Sequence, residues 1–157
     1  MVKYYAGIGS RDTPKWICEF MTNVAEYLEG KGYILRSGGA EGADTAFENG
    51  CYKTNADIWE PNDYLPRWTS VFVDHFHPAP DKLKPFARKL MQRNALQILG
   101  LEGDEPVEFV VCWTKDGKFS GGTGQALRIA DYYNIPIYNL YYNEVYEKIK
   151  GRVYETD

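Results

Sequence analysis

Short apolar runs alternate along the whole chain with segments in which apolar side chains recur at helical spacing. The apolar runs predict strands at about 3–8, 33–37, 57–60, 107–113 and 136–140. The helical spacing predicts helices at about 14–28, 42–51, 83–99, 123–133 and 143–150. This alternation is typical of a parallel sheet with right-handed crossovers and helices on both faces. We therefore predict one α/β domain over 1–157, with three layers and a mostly parallel sheet of about five strands.

Two stretches stand out from this alternation. The segment 61–81 is rich in Pro, Asp and aromatic residues and shows no clear period. It is predicted to be a long irregular segment, and loops of that length in compact domains are commonly lids or binding loops. The run 107–113 (Val-Glu-Phe-Val-Val-Cys-Trp) gives the strongest strand signal and is predicted to be a central strand buried on both faces.

Glycine follows three of the predicted strands, and a helix is predicted soon after it each time. The turns contain Gly9, Ser10 and Arg11; Ser37, Gly38, Gly39, Ala40, Gly42 and Asp44; and Gly121, Gly122, Thr123 and Gly124. Glycine lets the backbone approach a ligand closely, and the free N–H groups at a helix start attract anions. Any one of these turns is equally well explained as the end of a strand. Three such turns are expected to meet at the carboxyl edge of one sheet, where open α/β folds bind ligands, and we therefore predict a phosphate site.

Side chains beside the glycines strengthen this prediction. Arg11 offers a planar fork of donors to a phosphate, and Ser10 and Thr123 offer hydroxyl groups. Trp113 ends the strongest strand at the same edge, so it is the aromatic residue that we expect to contact a base.

Composition restricts the partners. The formal net charge of −4 provides no overall positive field, so non-specific DNA binding is disfavoured and a small nucleotide-type ligand is expected.

Cys18, Cys51 and Cys112 have no metal-binding spacing, which indicates a reducing, cytoplasmic compartment. His75 and His77 lack a third ligand at a recognisable spacing, so neither a metal nor a required cofactor is predicted. With no membrane-length apolar run and no signal peptide, no membrane partner is expected.

The carboxyl-terminal part of the chain is rich in tyrosine. The plainer account is that these tyrosines pack within the fold. Alternatively, they stack on bases or line a contact between copies of the chain. We expect the protein to form a homo-oligomer. The tyrosines are Tyr138, Tyr141, Tyr142, Tyr146 and Tyr154.

Four motifs in their chain order resemble those of a known family. They are Ile8-Gly9-Ser10-Arg11, Ser37-Gly38-Gly39-Ala40-Glu41-Gly42-Ala43-Asp44, Arg93-Asn94 and Ser120-Gly121-Gly122-Thr123-Gly124. In this order they resemble the Rossmann-like domain of DprA, the DNA-processing protein. More broadly, the chain is similar to the SLOG nucleotide-binding superfamily and, within it, to small DprA-like proteins of bacteriophages. The resemblance implies a Rossmann-like fold that holds the phosphate of a nucleotide or nucleic acid over the glycine turns, with Arg93 and Asn94 at the site.

The SLOG superfamily also includes LOG-type phosphoribohydrolases, which cut the glycosidic bond of nucleoside monophosphates. These enzymes use a helix arginine, which Arg93 resembles, and a glutamate after a P-G-G-x-G-T-x-x-E motif. In this chain Ser120, Gln125 and Arg128 stand where that motif has proline, threonine and glutamate. In glycoside cleavage a carboxylate stabilises the oxocarbenium-like transition state or activates the attacking water. A cation at position 128 cannot perform either role, but it can still bind an anion. Arg128 is therefore a candidate ligand residue, and binding without the LOG reaction is expected. A plainer role for Arg93 is an ion pair with Asp44 or Glu41.

These observations lead to one main hypothesis and two alternatives. The main hypothesis is that the chain binds, and thereby sequesters, a nucleotide or nucleotide-derived small molecule at the carboxyl edge of the sheet. The first alternative is a DprA-like protein that binds single-stranded DNA. The second is a nucleoside-monophosphate N-glycosidase.

Overall fold

The computed structural model of the chain describes residues 2–52 and 55–155. Within these residues, five strands form one parallel sheet in the order β3-β2-β1-β4-β5. The strands are β1 (Lys3–Gly7), β2 (Tyr33–Ser37), β3 (Ala56–Ile58), β4 (Val110–Cys112) and β5 (Ile137–Asn139).

Helices cover both faces of the sheet, as the alternating pattern predicted. They are α1 (Lys15–Gly30), α2 (Ala43–Asn49), α3 (Arg67–Phe76), α4 (Pro85–Leu99), α5 (Gly121–Tyr132) and α6 (Asn143–Tyr154). On one face α1, α2 and α6 pack around Phe20, Met21 and Phe47. On the other face α3, α4 and α5 pack around Ile98 and Leu127. The prediction of a Rossmann-like three-layer sandwich is confirmed.

The prediction for 61–81 was wrong, because α3 lies inside this segment. Trp68, Phe72 and Phe76 follow one another at four-residue intervals and pack against the core beside α4 and α5. That spacing is a helical signal, but Pro61 and Pro66 before it and Pro78 and Pro80 after it obscured the signal. The segment therefore provides much of a helical layer instead of a lid.

Several strands are shorter than predicted, β4 most of all. The regular strand β4 covers only Val110–Cys112 of the predicted 107–113, although hydrogen bonds to the β1 side begin earlier, with the N–H of Glu108 to the carbonyl of Tyr4. Val107 lies outside the sheet, because it donates its N–H to the carbonyl of Ile98 at the end of α4. β3 lies at the sheet edge and ends at Ile58. One further bond, from the N–H of Trp59 to the carbonyl of Ser37, continues its pairing before Pro61.

The strand order fixes where a ligand can enter. From β1 the chain moves outward through β2 to β3, and it then returns to the opposite side of β1 for β4 and β5. Ala6 lies opposite Val110 and Gly7 opposite Val111 in the β1–β4 pair. In open α/β sheets the crevice beyond the carboxyl ends of such a reversal is where ligands bind. No helix in the described ranges has the length and apolar character needed to cross a membrane.

We predict that the close approach of α1 and α2 depends on Gly50, the residue that follows α2. A Cβ there would collide with the carbonyl oxygen of Thr22 and would lie 2.7 Å from the Cβ of Ala25. Gly50→Ala should therefore lower the free energy of unfolding in urea by about 1 to 3 kcal/mol, the usual cost of overpacking. Gly30→Ala is the matched control, because a Cβ at Gly30 meets nothing within 4 Å. Equal stabilities of the two variants would contradict this description of the α1–α2 contact.

Candidate functional site

A cleft of about 620 Å³ lies beyond the carboxyl ends of β1 and β4. It is bounded by the turn after β1, the turn after β2, the face of α4 and the loop that leads into α5. Its lining is Ile8, Gly9, Ser10, Arg11, Asp12, Ala40, Asp44, Phe86, Leu90, Arg93, Asn94, Gln97, Thr114, Lys115, Ser120, Gly121, Gly122 and Thr123. The three glycine turns thus meet at one cleft, and its volume is that of a site for a single small ligand.

The carboxylate of Asp44 joins the first turn to the second. Asp44 is only 3% exposed, and its two oxygens accept the N–H groups of Gly9 and Ala40, each at 3.3 Å. Burial raises the pKa of this carboxyl to about 6, although the nearby Arg93 and the N–H donors of Ala40, Gly9 and Gly38 oppose the rise. Asp44 therefore holds the two turns together, and its pKa lies well above that of an exposed aspartate.

Arg93 reaches the cleft from α4 and is 8% exposed. Its Nη1 donates to the carbonyl of Gly38 at 2.6 Å, and its Nε donates to Oδ1 of Asn94 at 3.0 Å. Burial lowers the pKa of the guanidinium, an effect that Asp44 opposes. Asp44 makes no ion pair with Arg93 within 4 Å in the described part of the chain, so the ion-pair role is not what the geometry shows. Nη2 has no hydrogen-bond acceptor among the described residues, which leaves this donor available to a ligand.

The third turn is attached to α4 through Asn94. Its Nδ2 donates to the carbonyl of Gly122 at 2.6 Å, which orients the first turn of α5. Ser120 precedes α5 without a side-chain cap, and the N–H groups of Gly121, Gly122 and Thr123 have no acceptor within the residues described. The amino-terminal end of α5 therefore presents free N–H groups and the positive end of the helix dipole to the cleft.

Close approach requires glycine at two positions beside the bonds of Asp44 and Arg93. A Cβ at Gly9 would lie 2.6 Å from the Cβ of Ala43, and a Cβ at Gly38 would collide with the side chains of Arg93 and Gln97. Glycine at position 38 lets Arg93 lie directly against the backbone of the second turn. The sequence predicted these glycines as ligand contacts. In the structure they also leave the space that the neighbouring side chains occupy.

Not every predicted residue lines the cleft. Ser37 donates its hydroxyl to the carbonyl of Gly7 and is fully buried, so it bonds within the sheet. Gly42, at φ +87, packs against the backbone of Ser10 and Arg11. Of the predicted set, the residues outside the cleft lining are Ser37, Gly38, Gly39, Gly42, Trp113, Gly124 and Arg128.

Trp113 and Arg128 are placed differently from the prediction. The ring of Trp113 lies 6.3 Å from that of Tyr141 and packs against the core on the α1 and α6 face. Its carbonyl, and not its ring, supports the site by accepting the N–H of Ser10. Arg128 donates to Oε1 of Gln125 at 2.8 Å and to the carbonyl of Phe119 at 3.5 Å. These bonds hold Arg128 against its own helix and loop.

Several residues of the cleft were not singled out from the sequence. Thr114 and Lys115 follow β4, and Gln97 lies on α4 one turn after Arg93. Phe86 and Leu90 belong to the helical spacing from which the helix at 83–99 was predicted, and both line the cleft, where Phe86 is 55% exposed. That these two residues face the cleft becomes apparent only when the position of α4 over the sheet edge is known.

The described residues contain no group of three or more His, Cys, Asp or Glu side chains that could hold a metal ion. Nδ1 of His77 accepts the N–H of Ala79, and burial lowers the pKa of that imidazole. The two histidines therefore provide no ligand set in this part of the chain.

Comparisons with known proteins identify the fold. A solved structure of DNA processing protein A from Helicobacter pylori, reported for its single-stranded DNA binding mode, matches 96% of this chain and 78% of that chain. The TM-score is 0.63 and the sequence identity is 18%, which shows a common DprA-like fold and no more. No protein-family model matches the chain, and a search of curated proteins gives no significant match.

The raised pKa of Asp44 predicts a defined pH dependence of stability. Because the folded state binds this proton more tightly than the unfolded state, the contribution is greatest at low pH and is lost as pH rises through about 6. The stability of the wild type relative to Asp44→Asn should fall by about 2 kcal/mol between about pH 4.5 and about pH 7.5. Urea unfolding of both proteins across this range measures the difference. A difference that is constant or rises with pH would show that burial does not raise this pKa.

Proposed function

We propose that the cleft binds a nucleotide or nucleotide-derived small molecule through its phosphate, and that the chain acts by holding this molecule. The main support is the placement of Arg93. Its guanidinium is buried, is fixed by Gly38 and Asn94, and keeps Nη2 free beside the cleft. A buried cation that is held in place by other bonds loses little side-chain entropy when it binds an anion, and water screens the interaction weakly.

The backbone supplies the other part of the phosphate site. The free N–H groups at the amino-terminal end of α5 face the same cleft as Arg93. Ser10 and Thr123 line it with hydroxyl groups, and Arg11 adds an exposed cation at the rim. Neutral donors together with one or two cations suit the two charges of a terminal phosphate.

The remaining volume suits the nucleoside part of such a ligand. Phe86 and Leu90 of α4 and Ile8 after β1 provide an apolar wall. A pocket that combines apolar walls with a few convergent polar groups is typical of small-molecule sites. Phe86, rather than Trp113, is therefore the residue that we assign to contact a base.

Single-stranded DNA is the second candidate, and the likeness in fold to the Helicobacter pylori protein favours it. The charges around the cleft favour a single phosphate over a chain of phosphates. Both exposed cations that line the cleft have an acidic neighbour in sequence: Asp12 follows Arg11, and Asp116 follows Lys115. Such pairs reduce the counterion release on which affinity for a polyanion depends.

Glycosidic cleavage receives less support from the cleft. Its lining contains two carboxylates, Asp12 and Asp44. The carboxylate of Asp44 accepts the N–H groups of Gly9 and Ala40. Arg128 stands at the motif position where LOG-type phosphoribohydrolases have glutamate. We therefore propose binding without turnover.

Calorimetric titration with AMP, at constant ionic strength, tests the proposal. Arg93→Gln should weaken binding roughly ten- to a hundredfold, as expected for the loss of a charge-assisted hydrogen bond of about 1.5 to 3 kcal/mol. Lys89→Gln removes the same charge from an exposed position on the same helix and should leave the affinity within about twofold, because Lys89 does not line the cleft. Arg11→Gln, at the exposed rim, should give an intermediate loss and provides a second test if Arg93→Gln unfolds.

The competing hypotheses predict other results in the same buffers. Fluorescence anisotropy with labelled oligothymidylate should show weak binding or none at low salt. Sub-micromolar affinity for the oligonucleotide, with a steep salt dependence and loss in Arg93→Gln, would favour the DNA-binding alternative. Release of adenine from AMP that is abolished in Asp44→Asn would favour the glycosidase. Equal AMP affinities in wild type and Arg93→Gln would contradict the proposed site.

A further inference from the structure

A second groove, of about 540 Å³, lies at the opposite end of the sheet from the cleft. Lys3 at the start of β1 and Tyr33 at the start of β2 line it, whereas the cleft lies beyond the carboxyl ends of the strands. Its sides are the carboxyl-terminal halves of α1 and α6. These two helices share one face of the sheet, and beside the groove Nδ2 of Asn23 on α1 donates to the hydroxyl of Tyr154 at the end of α6.

The floor and walls of this amino-end groove are mainly aromatic and aliphatic. Tyr27, Tyr33, Phe109 and Tyr138 all line it and are all partly exposed. Phe109 meets Tyr33 and Tyr138 edge to face, at 5.3 and 5.8 Å between ring centroids, and it stacks on Tyr5 behind it. The rings therefore support one another in fixed orientations, which gives a flat ligand a preformed surface.

Four cations surround these rings, and no acidic residue lines the groove in the described part of the chain. They are Lys3, Lys31, Lys148 and Arg152. None of them makes a salt bridge within the described residues. The surface around this groove is therefore positively charged, although the chain as a whole has a net charge of −4.

Helix-dipole stabilisation accounts for only part of this cluster. Lys31 and Arg152 lie at the carboxyl-terminal ends of α1 and α6, where a cation is favourable. Lys3 begins a strand, and Lys148 lies one turn before Arg152 on the same side of α6. The ammonium of Lys3 lies 5.3 Å from the ring centroid of Tyr33, and that of Lys31 lies 5.5 Å from that of Tyr27. Both charges are thereby held at the rim of the aromatic surface.

We propose that the amino-end groove is a binding site for a small aromatic carboxylate, which inserts its ring between α1 and α6 and places its carboxylate among the four cations. The volume fits a molecule of two to three rings. The charge distribution selects an anion over a neutral aromatic molecule of the same shape. The site is separate from the cleft and does not depend on the function proposed for it.

Fluorescence titration with anilinonaphthalene sulfonate, an aromatic anion whose emission rises in an apolar site, provides the direct test. Naphthoate should displace this probe, and the neutral naphthamide should need at least about ten times the concentration, the factor that corresponds to one charge-assisted contact. The variant Lys148→Gln/Arg152→Gln should lose at least about fivefold in affinity for both anions while its affinity for naphthamide stays unchanged. The melting temperature of this double variant should equal that of the wild type. Equal values would show that the change in probe affinity does not come from a loosened core.

Matched variants locate the binding. Lys150→Gln lies on the same helix but outside the groove, so it should leave probe affinity unchanged. Arg11→Gln, an exposed substitution in the lining of the cleft, should also leave it unchanged, because Arg11 belongs to the other site. Equal displacement by naphthoate and naphthamide, or probe binding that is lost in Arg11→Gln, would overturn the proposal. A probe signal that decreases as protein concentration rises would also overturn it, since a second copy of the chain would then cover the groove.

Discussion

The burial of two opposite charges beneath the cleft is the constraint on which the site depends. Asp44 and Arg93 both lie below the surface, at 3% and 8% exposure, and neither would be stable there without several hydrogen bonds. The bonds that satisfy Asp44 come from the turns after β1 and β2. Those of Arg93 and Asn94 go to the turn after β2 and to the start of α5. The first two turns are therefore held by the bonds that satisfy two buried charges, and the third turn is connected to them through Asn94, which accepts from Arg93 and donates to Gly122.

This constraint explains why glycine recurs at the edge of the sheet. The backbone of Gly38 must lie against the guanidinium, and the backbone of Gly9 must lie against α2, so neither position has room for a Cβ. The amino-terminal end of α5 has no side-chain cap and faces the cleft. The donors around the cleft are thus positioned by bonds within the chain, and preorganisation of this kind lowers the entropic cost that the proposed binding would carry.

Much of the fold followed from the sequence, because apolar periodicity and glycine turns are local signals. The positions of β2 and α4 and the convergence of the glycine turns were predicted on that basis. The helix α3 was missed, because prolines at both ends of its segment outweighed the four-residue spacing of its aromatic residues. The directions of Trp113 and Arg128 could not be derived, since each is decided by partners distant in sequence or by a bond within α5. Phe86 was likewise recognisable only from the position of α4 over the sheet edge.

The central claim is that one preformed cleft, built from three turns around Arg93, receives the phosphate of a small ligand. The most direct test is a two-dimensional ¹H–¹⁵N NMR titration with AMP that follows backbone amides and the arginine Nε–H groups. The account predicts that the largest shift changes occur at Gly9, Gly121, Gly122 and the side chain of Arg93, with little change at Lys3 or Tyr33 on the far end of the sheet. An absence of shift changes at Arg93 and the three turns under saturating AMP, or changes confined to the far end, would contradict it.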